Sequence, residues 1–111
     1  MKYFIYDYQR NGTCYFEFYK GKWDKKTFWN KDSILIDGDI LLNCKDFIDS
    51  ILEIIPTFDP FGATEISYAN WKKIEKIILR KSTQSQEIYY EADELLKNAF
   101  AEHGFITILG V

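Results

Sequence analysis

His103 is the one histidine in the chain, so any general base or imidazole metal site would have to be built around it. It falls at the end of a helical pattern, where a cation meets the negative end of the helix dipole, and capping is its expected role. Cys14 and Cys44 stand too far apart for the short Cys and His spacings of a zinc site. Asp37, Asp39 and Asn43 fall short of a calcium loop, because a correctly placed glycine and a distal Glu ligand are missing. Neither a Walker loop nor a dinucleotide-binding glycine fingerprint occurs. Carboxylate pairs such as Asp46/Asp49 and Glu91/Glu94 repeat at i, i+3 on helical segments. Acid–base work needs two carboxyls in different environments of a cleft, and solvated helix faces rarely supply that. The expectation is a protein with no catalytic residues, no metal and no cofactor.

The aromatic residues are more suggestive. The 111 residues include 8 Tyr, 9 Phe and 3 Trp, more rings than a core of this size hides, so some should lie at the surface. Exposed Tyr and Trp are enriched where another molecule docks. Between Tyr15 and Trp29, seven rings alternate with Lys20, Lys22, Lys25 and Lys26. Rings interleaved with lysines could stack single-stranded nucleic acid. The net charge of −3 opposes that reading, and a nucleic-acid partner is not expected.

The elements that must carry these residues read as an α+β domain spanning 1–111, with an antiparallel or mixed sheet and about three helices. Tyr3–Tyr8 and Thr13–Tyr19 flank Asn11-Gly12 and predict an opening hairpin with a type I′ turn. On its second strand, period-two alternation sets Tyr15, Glu17 and Tyr19 against Phe16 and Phe18. Asp37-Gly38 between 33–36 and 40–43 predicts a second hairpin. A helix then opens at Asn43 or Lys45-Asp46, with Phe47, Ile48, Ile51, Leu52 and Ile55 on one face, and stops at Pro56. Residues 64–67 read as extended, and Ser67 or Asn70 caps a helix to about Arg80 with Trp71, Ile74, Ile77 and Ile78 inward. After a polar break at 82–85, a helix runs from about Gln86 to His103 and ends at Gly104. Residues 105–109 are almost wholly apolar and predict a central strand.

Charge is segregated along the chain. Residues 1–31 carry seven Lys/Arg against three Asp/Glu, and 32–70 carry one against eight; 71–81 carry five against one, and 82–111 one against five. The bland explanation is a basic helix lying beside acidic neighbours. The alternative is an acidic patch that steers a basic partner. The early residues are interrupted by Asp7 and several tyrosines, unlike a signal-peptide core, and no stretch approaches a membrane span. A cytoplasmic protein with reduced thiols and no membrane partner is the expectation.

The aromatic opening segment, the helix carrying Tyr68, Trp71 and Ile74, and the ending Phe105-Ile106-Thr107-Ile108-Leu109-Gly110-Val111 together resemble bacterial immunity proteins of contact-dependent growth inhibition and related polymorphic toxin systems. The resemblance implies a small cytoplasmic inhibitor that binds a cognate toxin domain, often a nuclease, with no catalytic residues of its own. A tight inhibitor of a basic nuclease needs carboxylates to draw the partner in and aromatic anchors to hold it. The candidate partner-binding residues are therefore Asp37, Asp39, Asp46, Asp49, Glu53 and Asp59, with Phe58 or Phe61 as apolar anchor. A nucleic-acid-binding or small-ligand-binding domain, or a small enzyme, is the alternative.

Overall fold

The computed structural model describes residues 1–111. Five strands form one fully antiparallel sheet: β1 (Phe4–Ile5), β2 (Tyr15–Lys20), β3 (Ile34–Asp37), β4 (Ala63–Ser67) and β5 (Phe105–Leu109), in the order β1-β3-β2-β5-β4. Four helices complete the α+β domain: α1 (Gly38–Asn43), α2 (Lys45–Ile54), α3 (Tyr68–Ile78) and α4 (Thr83–His103). None is long and apolar enough to cross a membrane.

Alternation along the strands divides the sheet into two faces. Phe4, Phe16, Phe18, Ile34, Ile36, Ile66, Ile106 and Ile108 point into the main core, where Phe47 and Ile51 of α2, Trp71, Ile74 and Ile78 of α3, and Ile88, Ala92 and Leu96 of α4 meet them. Trp71 stacks on Tyr89 with ring centroids 4.4 Å apart. Both polar ring groups are satisfied: Trp71 Nε1–H donates to Asp93 and the Tyr89 hydroxyl donates to the Trp71 carbonyl. Burial of the Tyr89 hydroxyl drives its pKa upward.

Neither expected hairpin forms. A type I′ turn needs positive φ at both central residues; Gly12 has φ 91°, but Asn11 is not among the left-handed residues. Asp7–Gln9 instead makes a 3-10 turn, and β1 pairs with β3 rather than β2. At the second site, the Asp37 carboxylate accepts the backbone N–H groups of Asp39 and Ile40. That is an N-cap, so Gly38 starts a helix instead of turning a hairpin. The polar break at 82–85 also belongs to a helix: the Ser82 hydroxyl accepts the Ser85 N–H, and α4 begins at Thr83.

The other stops behave as the sequence indicates. Ser67 caps α3, and Gly104 ends α4 with φ 78°. The five residues of β5 lie between β2 and β4, four of them buried.

Candidate functional site

The second face of the sheet is covered by the connection between β2 and β3, and the cover is anchored on a buried carboxylate. Leu35, Glu17, Leu109 and Ala63 form a cross-strand row over β3, β2, β5 and β4. Glu17 is only 1% exposed between two buried leucines. Its two oxygens accept the backbone N–H groups of Trp29 at 2.8 Å and Asn30 at 3.0 Å. Buried carboxylates persist only where such donors satisfy them. Trp29 is held there with φ 63°, a left-handed conformation unusual for a bulky residue. At the far end of the connection, the Thr107 hydroxyl donates to the Gly21 carbonyl at 2.8 Å.

This anchoring gathers the rings. Trp23 and Phe28 have centroids 5.3 Å apart, and Trp29 meets Tyr15 edge-on at 6.3 Å. The Arg10 guanidinium lies over the Trp29 ring, 4.4 Å from its centroid. Trp23 Nε1–H is spent on the Thr27 carbonyl. Asp24 ties the loop locally by accepting from the Thr27 hydroxyl and from the N–H groups of Thr27 and Lys26. These bonds, the hydroxyl first, hold its carboxyl at about 2.

The rings line a cup of about 440 Å³ together with Phe61, Leu109 and Val111. That volume lies within the range of small-molecule and side-chain sites. Phe61 is 73% exposed and Phe28 52% exposed, so both stand on the rim. The floor depends on a close approach of two segments. Gly110 N–H donates to the Gly62 carbonyl and Val111 N–H to the Pro60 carbonyl. A Cβ on Gly110 would sit 2.1 Å from the Pro60 oxygen, so only glycine fits.

The eight candidate residues separate into three groups. Phe61 lines the cup, Asp37 and Asp59 adjoin residues that line it, and Asp39 is exposed in the first turn of α1. Asp37 is paired with Tyr15 of the cup wall, Gly38 between the two aspartates packs against Val111, and an Asp59 oxygen accepts the Phe61 N–H. Asp46, Asp49 and Glu53 are carried instead by α2, with Asp49 and Glu53 exposed. The half-buried Asp46 accepts the Ser82 N–H at the start of α4. Phe58, offered as an exposed anchor, is 5% exposed and packs in the main core. Its backbone N–H is drawn to the Ile55 carbonyl, which turns the ring inward as the chain leaves α2.

Sequence reasoning singled out the Trp23–Trp29 rings but did not join them to Leu109 and Val111. The available signal was Glu17, a carboxylate in the middle of the otherwise aromatic run 15–19, whose partner Leu35 only the register reveals.

His103 lies in a separate open groove of about 310 Å³ with Asp32 and Glu102. Its closest carboxylate oxygen is 3.9 Å away, on the neighbouring and largely exposed Glu102. The ring packs over Gly21, whose φ is 81°. Cys14 is exposed and Cys44 buried, and the two are unpaired. Comparison of the chain with family models, with curated proteins and with solved structures finds no match.

Proposed function

We propose that this chain is a binding protein without catalysis of its own: a cytoplasmic immunity protein that captures and neutralises a basic toxin domain. The observation that carries the reading is the aromatic cup. It is preformed, its Trp23 indole N–H is satisfied internally, and its rim presents Phe28 and Phe61 to solvent. Aromatic anchor sites surrounded by polar residues are the usual centre of a tight protein interface. Asp37 and Asp59 adjoin the cup through Tyr15 and Phe61. Carboxylates there would speed the approach of a basic partner, while the apolar contact would slow its release.

The test is capture from the native host, followed by mass spectrometry and a growth assay. The expected partner is a domain that is toxic when expressed alone and harmless when this chain is co-expressed. Phe61→Ala should weaken the complex at least about tenfold, equivalent to about 1.4 kcal/mol. A captured partner with no toxicity, or full protection by a variant that no longer binds it, overturns the reading.

A further inference from the structure

The two edges of the sheet are treated differently, and the difference points to the kind of segment that docks. At the β1 edge, the Glu91 carboxylate of α4 accepts the backbone N–H groups of Lys2, Tyr3 and Phe4 at 2.9–3.1 Å. Those donors are closed to another strand. The opposite edge is β4, which pairs only with β5.

The register of that pair decides which groups remain free. Gly110 N–H bonds the Gly62 carbonyl and Tyr68 N–H bonds the Gly104 carbonyl. The hydrogen-bonded positions of β4 are therefore the even-numbered ones. Antiparallel alternation turns the N–H and C=O of Ala63 and Glu65 away from β5, and both residues are exposed. A free edge of this kind is a template for strand addition. It also leads into the cup, because Phe61, Gly62 and Ala63 line the cup where β4 begins.

We propose that β4 receives an extended segment of the protein partner as a sixth, antiparallel strand. That segment carries a Lys or Arg opposite Glu65 and a large apolar residue, two positions along, opposite Ala63. Side chains two apart share a face, so the apolar residue enters the cup beside Phe61 and Leu109 while the cation meets Glu65. The small Ala63 side chain leaves that entry open. An antiparallel addition continues the pattern of every other pair in the sheet. A second copy of this chain fits less well, because antiparallel β4–β4 pairing centred on this edge sets Glu65 against its own copy, and opposed like charges destabilise a strand pair.

The inference rests on reading the chain as protein-binding, and its test uses the isolated chain with a defined probe. The probe is the capped peptide Thr-Thr-Lys-Thr-Leu-Thr-Thr, titrated to about 1 mM, the weak end of measurable affinity. Amide resonances of Ala63 and Glu65 should shift and gain exchange protection, while those of Thr64 and Ile66, already bonded to β5, change less. N-methylation of the peptide at Lys and Leu should abolish the effect, because those two N–H groups face β4. N-methylation at the central Thr should leave it intact. Glu65→Lys should weaken binding at least fivefold without altering the fold.

No shift at about 1 mM overturns strand addition. So does a response indifferent to which amides are methylated, or displacement of the peptide's role by an oligothymidylate that perturbs Trp23 and Trp29 instead. A toxin domain that docks on α2 would leave the proposed function standing and remove only this inference.

Discussion

The Glu17 carboxylate accepts the backbone N–H of Trp29 at 2.8 Å, twelve positions along the chain. That bond and its companion to Asn30 hold the lysine-rich connection down on the second face of the sheet. Replacing Glu17 by Gln would turn an NH2 group toward a backbone donor that needs an acceptor. The expected loss of stability is about 1–3 kcal/mol, measured by denaturant unfolding, with a tryptophan emission change that precedes global unfolding. Full retention of both signals would show that the connection is held by ring packing alone.

Acid should loosen the same connection by a different route. The Asp24 carboxyl is held at about 2, first by the Thr27 hydroxyl and then by two N–H groups, against an ordinary value of 3.8. A depressed value means the tie is present above pH ~4 and is lost as the pH falls toward 2. Trp23, whose indole donates to the Thr27 carbonyl, is the local reporter. Its emission should shift between pH ~4 and 2, and Asp24→Asn should show the low-pH emission at neutral pH. An Asn variant with unchanged emission contradicts this.

Carboxylates on α2 should divide by their partners rather than by their spacing. Asp46→Ala removes the acceptor of the Ser82 N–H and should cost about 1 kcal/mol of stability. Asp49→Lys and Glu53→Lys lie on exposed surface and should change it by less than about 0.5 kcal/mol. Thermal melts of the three variants decide the point; equal effects would mean the Asp46 bond contributes nothing.

Gly110→Ala should be the most damaging single methyl at the cup. The added Cβ collides with the Pro60 backbone, which has no flexible end to swing aside. The expected cost is about 1–3 kcal/mol, the usual range for overpacking, together with lost partner binding. Gly12→Ala meets no neighbouring atoms and carries only the strain of its positive φ, so it should bind normally.

The two thiols should titrate apart. Cys14 is exposed and Cys44 buried, so an aromatic disulfide reagent should label Cys14 quickly and Cys44 only after unfolding. Rapid modification of both in the native protein would contradict the burial of Cys44.

The amino-acid sequence alone determined α2, α3 and α4 as amphipathic helices, β5 as a strand buried on both sides, and the opposite facing of Glu17 and Phe16. The helices are set by side-chain periodicity over many residues, β5 by a continuous apolar run and the strand faces by period-two alternation. Only the tertiary structure decided the short-range ambiguities. Asp37-Gly38 reads as a hairpin turn in the sequence, and it becomes a helix start because the Asp37 carboxylate accepts the Asp39 and Ile40 N–H groups. Asn11-Gly12 loses its hairpin because β1 pairs with β3, and the outward N–H of Phe4 donates to the Glu91 carboxylate of α4. The cup was legible only as a list of rings. Leu109 of β5, eighty residues beyond Trp29, lines it too, and local sequence carries no record of which distant strand will lie beside it. Phe58 and Phe61 are alike in sequence, and they part because one follows the Ile55 turn into the core while the other is lifted onto the rim beside Asp59.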